Sequence, residues 1–334
     1  MTSRNESLPP VSVLICTKDR RQDLQRALVS LQKLDYPRDK LDIVVIEETD
    51  APRAPDGVRY VVLPVENRGF GHARRVAVDN AQHDLLLFTD DDCVVEPNWA
   101  TELVRCFEPD VGGVAGAVLV EPTNVLGYCE NILGFPGGGL KYFYRAAGKP
   151  YDTSLLSTCN CAYRRKAVQE AGGFSIDTTY GGEDYHLARR VASRYRCRYT
   201  PSAVVYHKPR GTWRGIARWF VRRGNAEIEL AQFTDAPGRH LWNAAKSSMI
   251  IRVAALLGLL LAMGWASWPV LLILAALYYI AMLQRHLYGL RYYRRLDIWL
   301  TVPFVKLTMD VSMDCGRLEA FLARRWRRPE PSST

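Results

Sequence analysis

Apolar residues in the first part of the chain fall into short runs that switch between two periods. Val11–Cys16 is a continuous run rich in Val and Ile, as in a strand covered on both faces. Leu41–Ile46, Tyr60–Leu63 and Leu85–Thr89 repeat it. Between them the spacing is helical, with Leu24, Ala27, Leu28 and Leu31 inside Asp23–Leu34, and again over Phe70–Ala81. Strands alternating with helices predict an α/β, Rossmann-like architecture with a mostly parallel central sheet. Such sheets bind ligands beyond the carboxyl ends of their strands. The residues there are polar: Thr17 and Asp19, then Glu47 and Glu48, then Asp90, Asp91 and Asp92.

Further on, Gly113–Val120 and Ala203–Tyr206 read as strands, and Gly134–Gly139 as a flexible loop. Glu183–Arg194 and Trp213–Phe233 read as helices. The solvent then changes. Val253–Leu283 holds 31 residues without a charge, which as one helix would span about 46 Å against a bilayer core of about 30 Å. Trp268-Pro269 breaks the run. Two short membrane helices, 248–265 and 269–283, are expected as a spanning hairpin, with a re-entrant or a soluble buried hairpin as alternatives. Trp299–Leu322 is amphipathic and leads to Arg324, Arg325, Arg327 and Arg328, which suits an anionic leaflet. The expected division is a tail (1–10), a globular domain (11–235), a membrane-associated helical region (236–328) and a second tail (329–334).

Charge sharpens this division. The 334 residues carry a net +9. From Lys208 onward there are 19 basic and 8 acidic residues, and before it 25 and 27. The basic excess surrounds the apolar segment, so lipid headgroups rather than nucleic acid are the expected anionic partner. Basic residues flank the segment on both sides, Arg239, Lys246 and Arg252 before and Arg285, Arg291, Arg294 and Arg295 after. Both ends are therefore expected to face the cytoplasm. MTSRNESLPP lacks a signal-peptide core, so the globular domain is expected on the cytoplasmic side of the inner (plasma) membrane. The eight cysteines are scattered, and Cys159-x-Cys161 has no second pair at zinc-ligand spacing. Buried thiols in a reducing compartment are expected.

Three adjacent carboxylates at a strand end repel one another unless a cation sits among them. Oxygen ligands suit Mg²⁺ or Mn²⁺ shared with substrate phosphates, and a solvated turn is the plain alternative. Glu183 and Asp184 follow two glycines in GGEDYHLARR. Such an acid either caps a helix or serves as a general base. His207, after a strand, is either structural or the completion of a metal site. Asn67–Arg75 brings arginines near the strand ends.

Six blocks, in order, resemble the family 2 glycosyltransferases of the GT-A fold. They are VSVLICTKDR (11–20), IVVIEETD (43–50), NRGFGHARRVA (67–77), FTDDDCVVEP (88–97), TCNCAYRRKAVQEAGGF (158–174) and GGEDYHLARR (181–190). The resemblance covers about Val11–His207. It implies donor or nucleotide contacts at Thr17, Asp19, Glu48, Arg74, Asp90 and Asp91. It implies a Mn²⁺ or Mg²⁺ site at Asp90, Asp92 and His207, and a catalytic base at Asp184 acting with inversion. Asn160, Glu183, Arg218 and Trp219 stand as acceptor or diphosphate contacts. Glu48 occupies the place of the second Asp of the family's Asp-Asp-Gly-Ser stretch, a departure that bears on the base. Arg218 and Trp219 match the end of a Gln-x-x-Arg-Trp motif whose Gln is missing. A single transfer is therefore expected, from a nucleoside-diphosphate sugar to a membrane-associated acceptor such as a lipid-linked sugar, polyprenyl phosphate or glycan, in cell-envelope synthesis. A non-catalytic nucleotide-binding adaptor, a processive polysaccharide synthase and a nucleotidyltransferase are the alternatives.

Overall fold

The computed structural model describes residues 8–65, 69–265 and 267–326. Asn67, Arg68, Arg327, Arg328, the last tail and most of the first lie outside them, as do the side chains of Arg324 and Arg325. The chain forms two compact units, Met1–Glu121 with Gly134–Pro209, and Pro122–Leu133 with Arg210–Thr334.

Among the described residues the first unit holds nine strands: β1 (Val11–Thr17), β2 (Leu41–Glu48), β3 (Arg59–Leu63), β4 (Leu85–Thr89), β5 (Cys93–Val95), β6 (Val111–Val120), β7 (Tyr151–Asp152), β8 (Asn160–Arg164) and β9 (Arg196–His207). They form one sheet in the order β3-β2-β1-β4-β8-β6-β9-β5, with β7 beside β9. β1, β2, β3 and β4 run parallel. β8 is antiparallel to both β4 and β6, and β5 is antiparallel to β9. The sheet is thus mixed, with the parallel half that the apolar runs predict.

Alternate side chains of the buried strands feed two cores. Val11, Val13, Ile15, Val45, Leu85 and Leu87 pack with Leu24, Leu28 and Leu31 of helix α1 (Arg21–Leu31). Leu14, Val44, Ile46, Leu86 and Phe88 pack on the other face with Ala73, Ala77 and Val78 of α2 (Gly69–Asn80). Each fully buried side chain of this size contributes about 1.5–3 kcal/mol, so a register slip that exchanged the faces would disrupt both cores. α3 (Trp99–Val104) joins the first core. The start of α2 lies against the backbone of Ile176 and Thr178, where a Cβ on Gly69 would meet the Thr178 carbonyl oxygen at 2.2 Å. Only glycine permits that approach, and it fixes α2 against the loop that precedes the Glu183-Asp184 pair.

The second unit is helical. It contains α4 (Val125–Leu133); α5 (Gly139–Ala146), α6 (Arg165–Glu170) and α7 (Glu183–Ala192) belong to the first unit. It continues with α8 (Trp213–Leu230), α9 (Pro237–Ser247), α10 (Met249–Ala262), α11 (Trp268–Arg285), α12 (Tyr288–Tyr293) and α13 (Leu296–Trp326). α8 and α13 cross in backbone contact. A Cβ on Gly224 would lie 2.0 Å from the Met313 carbonyl oxygen, and one on Gly316 1.9 Å from that of Val221. Arg317 ties the crossing, meeting Glu227 Oε2 at 2.6 Å and Asp314 Oδ1 at 2.7 Å.

Among the described residues, α11 is the one helix that is by itself long and apolar enough to cross a membrane; α9 and α10, bent by 63°, pass that test only together. No residue of α11 is buried. The sequence pattern puts two short helices here, and the structure makes them unequal: α10 has 14 residues and α11 has 18.

Candidate active site

The site is assembled from strand ends of the first unit. At the end of β1, the buried Thr17 donates its hydroxyl to Asp91 Oδ2 at 2.6 Å. Arg20 follows and spreads its guanidinium over two acids, Nη1 to Asp91 Oδ1 and Nη2 to Asp92 Oδ2, both at 2.7 Å. Asp91, 3% exposed, thus spends both oxygens on β1 and its continuation. Burial pushes the Asp91 carboxyl up to about 7; Thr17 and Arg20 pull it down, and Asp92 and Asp90 push it further up. Such a carboxyl is an internal brace.

Asp92 is held from the other side by β9. The β5–β9 pairing sets Cys93 opposite His207, and the Lys208 amide donates to the Asp92 carbonyl at 3.0 Å. His207 Nε2 then lies 3.3 Å from Asp92 Oδ1. Its Nδ1 lies 2.7 Å from the Lys208 carbonyl oxygen, which can only accept, so Nδ1 carries a proton and Nε2 is the nitrogen turned to the carboxylate. In the neutral ring that nitrogen offers a lone pair beside an anionic oxygen, an arrangement a divalent cation can bridge, and an outer carbonyl behind the other nitrogen is the usual support of a metal-ligating imidazole. Asp92, Cys93 and His207 offer ligand atoms within 4.8 Å of one another. Burial drives the Cys93 thiol well up, which disfavours the thiolate a metal needs, so the donor set is carboxylate and imidazole. It fits Mn²⁺ or Mg²⁺. Asp90 completes the acidic group: desolvation pushes its carboxyl up, Arg74 and His207 pull it down, and Asp92 and Asp184 push it up.

α2 supplies Arg74, 7% exposed, with its guanidinium 5.3 Å from the Phe70 ring centre. It donates to Glu183 Oε1 and stands 3.5 Å from Asp90 Oδ1. Glu183 is 2% exposed and also accepts from Thr178 Oγ1 at 3.2 Å. Its described partners are thus Arg74 and Thr178. Gly182, at φ +102°, starts α7 in a conformation that favours glycine. Asp184 follows in the first turn. Its Oδ2 accepts from Ser157 Oγ at 3.2 Å and from the Thr158 amide at 3.4 Å, and Oδ1 from the Tyr185 amide at 2.7 Å. The side chain stays partly exposed, and an open cavity elsewhere along α7 is lined by Ser154, Leu155, Tyr185 and Arg189.

The remaining site residues fall differently. Asp19, at φ +52°, accepts from Thr49 Oγ1 at 2.6 Å and shapes the β1 loop. Glu48 pairs with Lys18 Nζ at 2.9 Å. Its neighbour Glu47 is buried and accepts from the Tyr60 hydroxyl, and its Oε1 has no hydrogen-bond partner among the described residues. Asn160 is buried and bonded to three neighbours. It accepts from Trp99 Nε1 at 2.8 Å and donates to the Ala117 and Ala203 carbonyls at 2.8 and 2.9 Å. Arg218 and Trp219 sit on α8 in the second unit, where Arg210 and Arg223 stack on the Trp219 ring. Arg20 and Ser157 contact the acids of the site and are not singled out by the motifs. Arg20 carried a signal, since it closes the first block.

Residues 12–172 match the profile of Glycosyl transferase family 2. A probable glycosyltransferase of Bacillus subtilis (strain 168) is 27% identical over 259 residues, 68% of this chain and 59% of its own length. A glucosyl-dolichyl phosphate glucuronosyltransferase of Haloferax volcanii is 26% identical over 214 residues, 59% of this chain and 66% of its own. The chain thus spans about three-fifths to two-thirds of these relatives. Among solved structures, a mannosyltransferase of Pyrobaculum calidifontis in complex with GDP-Man and Mn²⁺ superimposes with a TM-score of 0.60 at 19% identity, over 95% of this chain and 88% of its own. That likeness is one of fold, and the fold is GT-A.

Proposed function

From the premise that residues 12–172 form a family 2 glycosyltransferase domain, we propose that the protein is an inverting, divalent-cation-dependent transferase. It moves one sugar from a nucleoside-diphosphate donor to a hydroxyl of a membrane-associated acceptor. The observation that carries this reading is the facing pair Asp92 Oδ1 and His207 Nε2, 3.3 Å apart with the imidazole ring held from behind at Nδ1.

Asp92 and His207 hold the cation in this reading, with Asp90 beside them. Bound there, the cation offsets the charge that develops on the departing diphosphate. Asp184 takes the proton of the acceptor hydroxyl. The acceptor oxygen forms its bond to the anomeric carbon as the bond to the diphosphate oxygen breaks, from the opposite face. Ser157 and the Thr158 amide aim the Asp184 carboxylate, and its partial exposure leaves it open to an incoming group. The buried Arg74–Glu183 pair fixes the first turn of α7.

The acceptor side rests on the second unit. α11 exposes Leu271, Leu272, Ile273, Leu277 and Ile280, a surface that suits lipid. One relative acts, by its name, on a dolichyl-linked sugar. A lipid-linked acceptor at the cytoplasmic face of the plasma membrane follows as the reading for this chain.

Nucleoside diphosphate release from a panel of sugar nucleotides tests it, using the full chain in detergent with Mn²⁺ or Mg²⁺, with and without membrane lipid extract. Metal-dependent release from one donor, stimulated by lipid, is expected. Release that ignores chelation, or no release from any donor, overturns the reading.

A further inference from the structure

Arg20 belongs to none of the groups expected to touch donor, cation or acceptor, yet it is the most connected side chain beside them. Its two terminal nitrogens divide between Asp91 Oδ1 and Asp92 Oδ2 at 2.7 Å each, and Nη2 also meets Asp23 Oδ2 at 3.2 Å. The other oxygen of Asp23 accepts from Lys208 Nζ at 2.8 Å. Lys208 is the residue whose carbonyl fixes the His207 ring and whose amide holds the Asp92 carbonyl. The bonds therefore close a ring: Arg20, Asp92, the Lys208 backbone, the Lys208 side chain and Asp23.

We propose that Arg20 is a positioning residue for the divalent cation, with Asp23 as its anchor. By occupying Asp92 Oδ2 it leaves Oδ1 as the oxygen turned toward His207 Nε2, and by bracing Asp91 it fixes the strand end from which Asp92 projects. Arginine suits this because its planar fork spans two carboxylates at once, and a lysine ammonium is a single point of charge. The inference rests on the cation-dependent reading of the site.

The test is Mn²⁺ binding to the full chain in detergent, followed by the electron paramagnetic resonance signal of free Mn²⁺ without donor, alongside thermal melts without metal. Arg20→Lys keeps the positive charge, so the repulsion between side chain and cation is nearly constant, and only the two-point hold is lost. The Mn²⁺ dissociation constant is expected to rise about tenfold or more, the usual cost of losing an outer partner of a ligand. Asp23→Asn, which leaves Arg20 in place and loosens it, is expected to raise it by a smaller factor. If R20K binds Mn²⁺ within about twofold of the unaltered protein, the proposal is wrong, even where its melting temperature falls. If R20K does not fold, an unchanged dissociation constant in D23N overturns the proposal equally. Unaltered protein that binds no Mn²⁺ removes the cation-dependent reading as well, which separates the two failures.

Discussion

Ser157 Oγ donates to Asp184 Oδ2 across 3.2 Å, and the Thr158 amide reaches the same oxygen at 3.4 Å. A carboxylate held by two donors from one loop is aimed, as the proposed general base requires. Asp184→Asn is therefore expected to lower kcat by at least about a hundredfold and to leave donor affinity within about twofold, since no donor contact is assigned to it. Ser157→Ala, which loosens the aim, should cost about tenfold. Steady-state kinetics with donor titration read both, and near-normal transfer by the Asn variant would remove the base.

Asp92 and His207 predict a graded response to metal. His207→Ala should raise the Mn²⁺ concentration for half-activation by about ten- to a hundredfold. Asp92→Asn, which also loses the bond from Arg20, should not be rescued by any practical concentration. Chelation should abolish donor cleavage in the unaltered protein, and added Mn²⁺ should restore it. Half-activation unchanged in H207A would sever the histidine from the cation.

The Arg74–Glu183 pair is nearly closed to solvent, its side chains 9% and 2% exposed. Removing one partner of such a pair leaves a buried charge uncompensated, at a cost of about 3–5 kcal/mol. Arg74→Met and Glu183→Met should each lower the melting temperature sharply, and the double variant should lose less than the sum. A thermal double-mutant cycle measures this, and strict additivity would show that the two charges do not couple.

Gly224→Ala tests the α8–α13 crossing. The added methyl would stand 2.0 Å from a backbone oxygen, so the helices must part, and overpacking of this kind costs about 1–3 kcal/mol. Gly238→Ala, with open space around its Cβ position, is the control. Both are read by melting in detergent, and equal stability of the two variants would refute the close crossing.

Burial pushes the Cys16 thiol up to about 12 and the Cys129 thiol likewise, while Cys315 is exposed. Thiolate is the reactive form, and at pH 8 a group of pKa 12 stays protonated. Maleimide at pH 8 should label Cys315 first and the others after denaturation, as intact mass reports. Rapid labelling of Cys129 would contradict its burial.

Most of the parallel half of the sheet was legible, because Val11–Cys16, Leu41–Ile46 and Leu85–Thr89 are apolar runs whose local pattern decides their state. Ala203–Tyr206 marks only part of β9, which starts at Arg196, because its first half alternates polar and apolar residues at the sheet's far side. α3, α4, α5 and α6 are too short to show a period. The acidic run Asp90–Asp92 stood out at a strand end and Asp184 through the resemblance, and the structure gathers them with Arg74 in one unit. The partners of Asn160 and Glu183 were not legible, because a buried polar side chain and a ligand-binding one look alike in sequence. The ring that ties Arg20 through Asp23 to Lys208 was invisible, since it depends on β9 returning beside β5.

The bare surface of α11 also governs how the protein behaves as a particle. No residue of that helix is buried, and water does not tolerate so continuous an apolar surface without covering it. In solution such a surface is expected to carry either a belt of surfactant or a neighbour, so sedimentation and elution are expected to report a mass above that of the polypeptide alone.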